Sequence, residues 1–417
     1  MYLAYQILFI VFLIITGPYL VIRAIAGGHG VKQRLGFWNF TPDDRKTVWF
    51  HAASMGELKV ISCILPELLT SNPDLRIIIT TITKTGKTKA EQLFDPIEVY
   101  YLPLDLKCCV NRVLRTVKPS MLVLVETELW PILIRQASRH NVKIATVNAR
   151  ISHKSYRFYK LTKALFSSAL RNIELIIAQT DDDASRFKKL GAKPDLVVTY
   201  GNIKFDQVLD KNPRPPAKVI KDFLNHDGRF VFIAGSIRTG EFQSVLKAIT
   251  KALKSNVELK VVIAPRHMKD IGLLETCLKS FSLGYIKRSE LPAAESRAAV
   301  MILDTMGELG GLYSYANLAF VGGSLIKIGG HDPLEPASAG CMVCFGPHMD
   351  NSLMFANLLV DSGGATYIKN SDELLSLIMK LAGDNNLSST MGRKAYQAVL
   401  DHSGVSARTA RKLLELI

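Results

Sequence analysis

The chain has 417 residues, which is long enough for two α/β domains of ordinary size. It carries 52 Lys and Arg residues against 37 Asp and Glu residues, a net charge of +15, so we expect its partners to be anionic. No Lys/Arg-rich run is interleaved with stacking aromatic residues, which argues against nucleic acid and leaves phosphorylated small molecules and acidic membrane surfaces. The six cysteines are scattered, which suits a reducing compartment better than a disulfide framework.

The N-terminal segment is strongly apolar. Its first 22 residues carry no charged side chain, and about 20 apolar residues are what a bilayer-spanning helix needs. It lacks a basic region and a small-residue cleavage site, which favours a retained anchor over a cleaved signal. Positive charge begins at Arg23 and Lys32, which predicts that the following domain lies on the cytoplasmic side of the membrane. Gln6 and the pair Gly17-Pro18 interrupt the segment, so the alternative is a helix lying in the membrane interface.

Strand-like apolar segments alternate with segments of helical length through the rest of the chain. This alternation predicts the α/β class with parallel, doubly wound, Rossmann-like sheets. The predicted strands are residues 47–50, 75–80, 121–125, 142–147, 175–178, 196–199, 230–234, 259–264, 300–303, 318–321, 342–345 and 366–368.

A proline-rich run divides the chain into two halves. Residues 211–216 contain three prolines, which stop both helix and sheet and therefore indicate an interdomain linker. The C-terminal segment has a helical pattern, and we expect its last helix to pack back on the first domain. The predicted parts are an anchor (1–24), a first domain (25–208), a linker (209–227) and a second domain (228–417), with the C-terminal helical pattern over 395–417.

Two motifs suggest metal or redox chemistry, but each has a simpler explanation. The run Asp181-Asp182-Asp183 follows Thr180, so a helix cap with an acidic first turn accounts for it. Cys341 and Cys344 lie three apart in a predicted strand and therefore face opposite sides of the sheet, where one metal ion cannot bind both. We predict no catalytic metal.

The basic stretch 150–171 contains several aromatic residues. Such a stretch is commonly a solvated helix face. Next to an N-terminal anchor, it could equally hold the domain against anionic lipid headgroups.

Carboxylates and a lysine follow strands of the first half. Residues 51–57 turn tightly after the first strand and bring Glu57 to a helix start, where it can accept a proton from an attacking hydroxyl or simply favour the helix dipole. Glu126 and Glu128 follow another strand, where one can cap a helix and a second can raise the proton affinity of a base or hold the acceptor. Lys204 lies between the last strand and the linker, where it is either solvated or part of a site.

Arginines follow the first two strands of the second half. Arg238 and Arg266 each present a planar fork that suits a phosphate or a carboxylate. The glycine pattern around Arg238 departs from G-x-G-x-x-G, and the strand before Arg266 ends without an acidic ribose ligand. These departures argue against a dinucleotide-dependent dehydrogenase.

Two glycine-broken turns follow later strands of the second half. The first, residues 305–308, is predicted to open a helix, where free backbone N–H groups favour an anion such as a nucleotide phosphate. The second, residues 322–336, suits a polar sugar. Either turn alone could merely end a strand, but two turns about one βα unit apart favour a ligand site at the carboxyl ends of a parallel sheet.

Six ordered segments together resemble the 3-deoxy-D-manno-oct-2-ulosonic acid (Kdo) transferases of Gram-negative bacteria, over nearly the whole chain. The resemblance implies a two-domain GT-B glycosyltransferase anchored by a single N-terminal helix, with its catalytic domains on the cytoplasmic side of the bacterial inner membrane. It implies transfer of Kdo from CMP-Kdo to the lipid A precursor (lipid IVA) in lipopolysaccharide core biosynthesis, with inversion and without a metal or other cofactor. The first domain would bind the acceptor, the second CMP-Kdo. The segments are 51–57, 126–131, 201–206, 265–267, 304–309 and 322–336.

The resemblance also implies roles for individual residues. Glu57 matches the general base, while Glu126 and Lys204 match groups that stabilise the transition state. Cationic groups and helix N-termini would stabilise the departing phosphate in place of a metal. Asp332 stands where the family more often has asparagine, and a carboxylate cannot donate a hydrogen bond. The positions matching CMP-binding segments are Pro265, Arg266, Met306, Gly307, Glu308, Asp332, Pro333, Leu334 and Glu335.

Two other functions fit parts of the pattern. A nucleotide-sugar epimerase on the same two-domain scaffold needs neither a membrane anchor nor a lipid acceptor. A membrane-tethered binding protein without activity needs no converging carboxylates, and it is the weakest of the three hypotheses.

Overall fold

The computed structural model describes residues 2, 5–7, 9–11, 14–15, 30–210, 217–224, 229–255, 257–291 and 298–417. The predicted linker segment 211–216 and most of the predicted anchor lie outside these residues. Tyr2 and residues 5–7, 9–11 and 14–15 are helical. Among the described residues, no helix is long and apolar enough to cross a membrane. The chain forms two compact units, residues 1–207 with 403–417 and residues 208–402.

The first unit is built on one seven-stranded sheet in which all neighbouring strands are parallel. Its strands are β1 (Thr47–His51), β2 (Arg76–Thr81), β3 (Glu98–Tyr101), β4 (Met121–Val125), β5 (Lys143–Ala149), β6 (Leu175–Ala178) and β7 (Val197–Thr199), in the order β3-β2-β1-β4-β5-β6-β7. Its helices are α1 (Val31–Arg34), α2 (Met55–Ser71), α3 (Lys84–Phe94), α4 (Lys107–Val117), α5 (Pro131–Arg139), α6 (His153–Leu161), α7 (Lys163–Leu170), α8 (Asp181–Leu190) and α9 (Lys204–Asp210), with a 3-10 turn at Pro194–Leu196.

The second unit repeats this architecture with its own seven-stranded parallel sheet. Its strands are β8 (Phe230–Ile237), β9 (Leu259–Pro265), β10 (Tyr285–Lys287), β11 (Val300–Ile302), β12 (Leu318–Val321), β13 (Met342–Phe345) and β14 (Ala365–Tyr367), in the order β10-β11-β9-β8-β12-β13-β14. Its helices are α10 (Lys218–Leu224), α11 (Phe242–Lys254), α12 (Ile271–Ser280), α13 (Leu309–Leu312), α14 (Leu334–Ser338), α15 (Leu353–Asp361), α16 (Ser371–Ala382) and α17 (Asn385–Asp401), with 3-10 turns at Thr239–Glu241, Met268–Asp270, Arg288–Glu290 and Tyr313–Tyr315.

The prediction of two doubly wound α/β sheets is confirmed, and every predicted strand is present with ends displaced by three residues or fewer. The reason is burial on both faces, which makes strands of a parallel sheet nearly continuous apolar runs. On β1, for example, Trp49 packs in the core on one face while its neighbour Phe50 packs in the core on the other. The prediction missed β3 and β10, two short strands at sheet edges that carry charged or half-buried residues.

The helical pattern over residues 395–417 comprises the end of one helix and the whole of a second. Helix α17 ends at Asp401, and α18 (Val405–Leu414) begins after Gly404, whose φ of 75° breaks the helix. The Asp206 carboxylate accepts hydrogen bonds from the backbone N–H groups of Gly404 and Ser406, at 2.7 and 2.6 Å. Helix α18 packs on α2, so the end of the chain belongs to the first unit.

Candidate functional site

The first sheet changes direction of winding between β1 and β4, which are neighbours although they are far apart in sequence. Ligands of open α/β sheets bind at such a switch point, outside the carboxyl ends of the strands. Glu57 follows β1, and Glu126 and Glu128 follow β4. The fold therefore brings all three carboxylates to one edge of the sheet.

Glu57 lies in the first turn of helix α2, where Ser54 is the N-cap. Its backbone N–H donates to the Ser54 hydroxyl, which in turn donates to Glu57 Oε1 at 2.7 Å, and Ala53 N–H donates to Oε2 at 2.6 Å. Burial is the main cause that raises the pKa of Glu57; the two hydrogen bonds oppose it, and the charge of Glu128 adds to it. Each oxygen keeps a second lone pair, so the capping role does not exclude proton transfer.

Glu126 has a strained backbone. Its φ of 58° lies in the left-handed region, which is uncommon for a residue other than glycine and is often found at functional sites. Its side chain accepts from Arg150 Nε at 2.9 Å. Burial is the main cause that raises the pKa of Glu126; Arg150 opposes it, and Glu57 and Glu128 add to it. Glu57 and Glu126 are thus close enough to influence each other electrostatically.

Sequence reasoning assigned no role to His51, the last residue of β1. His51 is fully buried, its Nδ1 lies 3.0 Å from Thr80 Oγ1, and its Nε2 lies 3.4 Å from Glu128 Oε2. Trp130 Nε1 donates to the same Glu128 oxygen at 2.9 Å. Glu128 is therefore held beside Glu57 by the Trp130 ring, and the His51 ring lies within ion-pair distance of it. The signal in the sequence was the histidine that begins the 51–57 motif.

Lys204 is positioned by a network of amide side chains. The preceding loop bonds to β5, because Asn148 Oδ1 accepts from Ile203 N–H at 3.1 Å. Asn202 Nδ2 donates to Gln179 Oε1 at 2.9 Å, and Asn202 Oδ1 accepts from Lys204 N–H at 2.9 Å. Because β5 is the neighbour of β4, Lys204 begins its helix at the same carboxyl edge as the carboxylates.

In the second unit the switch point lies between β8 and β12, and Glu241 ties the two loops together there. Its fully buried carboxylate accepts four backbone N–H groups, from Arg238 and Gly323 at Oε2 and from Ser324 and Leu325 at Oε1, at 2.6 to 3.0 Å. Sequence reasoning gave Glu241 no role. Glu241 therefore fixes the backbone of the loops after β8 and β12, which carry the side chains of this edge.

Four cationic or titratable side chains gather at this edge. Arg238 Nε donates to His331 Nε2 at 3.3 Å, and Arg238 Nη1 donates to His267 Nε2 at 2.7 Å. Burial, followed by the charges of Arg266, Arg238 and His267, lowers the pKa of His331 to about 4, while Asp332 opposes this. His331 is therefore neutral at neutral pH, in a strongly electropositive setting.

The loop after β11 contains three of the predicted nucleotide-binding residues. Met306 is 81% exposed, and Gly307 turns the chain with a φ of 84°. The Glu308 carboxylate accepts from Arg288 Nη2 at 3.0 Å and from the Thr305 hydroxyl. The predicted helix start is only partly right, because the helix that follows, Leu309–Leu312, has four residues.

The other predicted nucleotide-binding segments also lie at the carboxyl edge of the second sheet. Pro265 is the last residue of β9, and Asp332 lies just before α14, where its Oδ1 accepts from Leu334 N–H at 3.1 Å. This local bond needs only an acceptor, so aspartate serves it as well as asparagine would. Glu335 and Asp332 lie close enough to Tyr313 that their charges, after burial, raise the pKa of that phenol.

The run of three aspartates and the pair of cysteines have structural surroundings in the described residues. Thr180 caps helix α8, where its hydroxyl accepts from Asp183 N–H at 3.1 Å. Cys341 and Cys344 are buried on opposite faces of the second sheet, and burial raises the pKa of both thiols. Within the described part of the chain, no group of three or more His, Cys, Asp or Glu side chains is placed to hold a metal ion.

Known proteins resemble this chain in sequence. A family model described as "3-Deoxy-D-manno-octulosonic-acid transferase (kdotransferase)" matches residues 29–207. The 3-deoxy-D-manno-octulosonic acid transferase of Haemophilus influenzae is 32% identical over 392 residues, which are 93% of this chain and 90% of that protein. A bifunctional glycosyltransferase/methyltransferase of Fusobacterium nucleatum is 35% identical over 348 residues, 82% of this chain but only 54% of that protein, so the chain spans about half its length.

Solved structures share the fold at low sequence identity. A glycosyltransferase from Rickettsia africae matches with a TM-score of 0.59 at 12% identity, over 90% of this chain and 98% of that one. A UDP-GlcNAc 2-epimerase from Neisseria meningitidis matches with a TM-score of 0.60 at 14% identity, over 89% of this chain and 99% of that one. These matches support the GT-B-like fold and do not distinguish transferase from epimerase. The sequence comparisons do: this chain belongs to the family of 3-deoxy-D-manno-octulosonic acid transferases and is a glycosyltransferase.

Proposed function

We propose that this chain transfers Kdo from CMP-Kdo to the lipid A precursor (lipid IVA), with inversion at the anomeric carbon and without a metal ion. The observation that carries the proposal is the convergence of Glu57, Glu126 and Glu128 at the switch point of the first sheet, in a chain of the Kdo transferase family. A buried carboxylate with a raised pKa is a competent base near neutral pH.

In the proposed reaction, Glu57 accepts the proton of the acceptor hydroxyl. The hydroxyl oxygen forms a bond to the anomeric carbon of Kdo while the bond from that carbon to the phosphate oxygen breaks, and CMP leaves with the electron pair. Glu126 and Lys204 stabilise the charge that develops in the transition state. The strained backbone of Glu126 and the amide network before Lys204 support these roles, since both residues are held before substrate binds.

The second unit binds the donor in this proposal. Arg266 and the segments containing Met306, Gly307 and Glu308 contact the nucleotide, together with Pro265 and residues 332–335. Arg266 supplies the positive charge that a metal supplies in other nucleotide-sugar enzymes, and Arg238 adds a second cation at the same edge, since both guanidinium groups act on His331.

We further propose that the chain works on the cytoplasmic side of the bacterial inner membrane, held by its N-terminal segment. Ile14 and Ile15 in that segment are 68% and 73% exposed. On the basic helix α6, Phe158 and Leu161 are also exposed, which suits contact with a membrane of anionic lipids.

A groove beside the N-terminal segment supports an anionic lipid as partner. It has a volume of about 740 Å³, and its lining combines apolar Ile7 and Ile10 with cationic Lys107, Arg112 and Arg115. An amphiphile with a negative headgroup matches both kinds of lining.

The alternative function is a nucleotide-sugar epimerase, which the shared fold is equally able to support. An epimerase interconverts a free nucleotide sugar and needs no second substrate with an attacking hydroxyl. Interconversion of UDP-GlcNAc by the purified chain in the absence of any acceptor would favour this alternative.

The test of the transferase proposal compares the wild type with Glu57→Gln. Glutamine keeps an acceptor and a donor for the hydrogen bonds with Ala53 and Ser54 but cannot take the proton, so transfer should fall about 10²- to 10⁴-fold while CMP binding is unchanged. Glu67→Gln, at an exposed position of the same helix, is the matched control and should be fully active. Unchanged transfer by Glu57→Gln would remove Glu57 as the base.

A further inference from the structure

The carboxyl edge of the second sheet places two arginines side by side. Arg238 follows Ile237 and Arg266 follows Pro265, and Ile237 and Pro265 are paired across β8 and β9. Adjacent strands lie about 4.8 Å apart, so the two arginines start from neighbouring positions. Arg266 N–H also donates to Ile237 carbonyl oxygen at 2.9 Å, which fixes this relation.

The order of the strands determines the order in which side chains and loops follow one another along the carboxyl edge of the second sheet. Crossing from β11 through β9 and β8 to β12, one meets the loop of Met306, then Arg266, then Arg238, then the glycine turn that holds His331. The backbone N–H of His331 donates to Gly322 carbonyl oxygen at 3.1 Å, which fixes the backbone of His331 to the turn. A ligand lying along this edge meets two cationic positions next to each other.

The Arg238 fork is oriented before any ligand arrives. His331 and His267 accept from its Nε and Nη1, and its backbone N–H is held by Glu241. Since a guanidinium only donates hydrogen bonds, each imidazole accepts through Nε2 and carries its proton on Nδ1. Among the described residues, Arg238 contacts two imidazole rings and forms no ion pair with a carboxylate, so its charge remains available to an anion.

The chemistry of the proposed donor explains two adjacent cationic positions. Kdo is a 2-ulosonic acid, so its anomeric carbon carries the carboxylate directly as well as the oxygen that leads to the phosphate. The two negative groups are therefore separated by one carbon and one oxygen atom. A nucleotide-activated neutral aldose has no negative charge at the position of this carboxylate.

We infer that Arg238, oriented by His267 and His331, binds the carboxylate of the activated sugar acid, while the neighbouring Arg266 faces the phosphate of the nucleotide. This inference rests on the proposed function and deepens it, because it makes Arg238 the residue that distinguishes a nucleotide-activated ulosonic acid from CMP alone and from neutral nucleotide sugars. A carboxylate meets a planar fork with two parallel hydrogen bonds, which a lysine cannot reproduce.

The experiment measures two ligands on each variant: the Kd of CMP, which has a phosphate but no sugar carboxylate, and the KM of freshly generated CMP-Kdo. In Arg238→Gln, the KM of CMP-Kdo should rise about 10- to 100-fold, the effect of losing charged hydrogen bonds, while the Kd of CMP stays within about threefold. Arg238→Lys keeps the charge without the fork and should give an intermediate KM. Arg229→Gln, at the residue before the opposite end of strand β8, should leave both values unchanged.

Two results would overturn the inference. An equal loss of affinity for CMP and CMP-Kdo in Arg238→Gln would assign Arg238 to the phosphate, and unchanged values for both ligands would remove it from the donor site. Failure of the proposed function is recognised separately, in the wild type. If the wild type binds CMP but does not transfer Kdo from CMP-Kdo to a lipid acceptor, the proposed function is wrong, and so is this inference. Circular dichroism of each variant confirms that the fold is retained.

Discussion

Replacing Glu241 with glutamine tests how the donor edge is built. Each oxygen of the buried Glu241 carboxylate accepts two backbone N–H groups. In Glu241→Gln one oxygen becomes an NH₂ group, so two buried N–H groups face a donor. Leaving a buried donor without an acceptor costs about 1–3 kcal/mol, so we expect a loss of about 2–6 kcal/mol in the free energy of unfolding.

Urea denaturation followed by circular dichroism measures this loss, and hydrogen exchange of the amides of Gly323, Ser324 and Leu325 locates it. Glu258→Gln is the matched control. The Glu258 side chain is 73% exposed and its ion pair with Arg229 is long, at 4.0 Å, so the substitution should change the free energy of unfolding by about 0.5 kcal/mol or less. Wild-type stability together with wild-type protection of the three amides in Glu241→Gln would refute the account of this edge.

Three further predictions concern charge and burial in the first unit and the reactivity of thiols. In Glu128→Gln the acidic limb of the pH profile of kcat/KM should move to lower pH, because the charge of Glu128 raises the pKa of Glu57; an unmoved limb would contradict the electrostatic coupling. Burial raises the pKa of Asp105 from 3.8 to about 6, so the folded state binds this proton more tightly than the unfolded state. Stability should therefore increase as the pH falls from 6 towards 4, by up to about 1.4 kcal/mol per pH unit, and denaturation of Asp105→Asn should lack that increment. A maleimide should label exposed Cys108 in the native protein and leave buried Cys341 unlabelled until denaturant is added; equal labelling would contradict the assigned burial.

The architecture was predictable because a fully buried strand is a short, continuous run of apolar residues in the sequence. A central parallel strand such as Met121–Val125 is buried at every position and is apolar at every position. The edge strands Glu98–Tyr101 and Tyr285–Lys287 have neighbours on one side only, so their composition is mixed and the pattern was missed. Gly404 is likewise a single residue that divides an otherwise helical pattern.

The site was predictable only where residues follow strands directly. Glu57 and Glu126 could be placed at one edge because parallel strands end on the same side. Glu241 could not be assigned, because its partners Gly323 to Leu325 lie more than 80 positions away and are ordinary turn residues in the sequence. His51 was also missed, since its role depends on the approach of Glu128 from another strand.

One measurement sets the transferase and the epimerase against each other in the same preparation. The purified chain is given freshly generated CMP-Kdo with tetra-acylated lipid A precursor, and separately UDP-GlcNAc without an acceptor, and the products are resolved by mass and by chromatography. The account predicts that the lipid gains the mass of Kdo in the presence of the wild type and that UDP-GlcNAc is unchanged. An unchanged lipid together with interconversion of UDP-GlcNAc would contradict it.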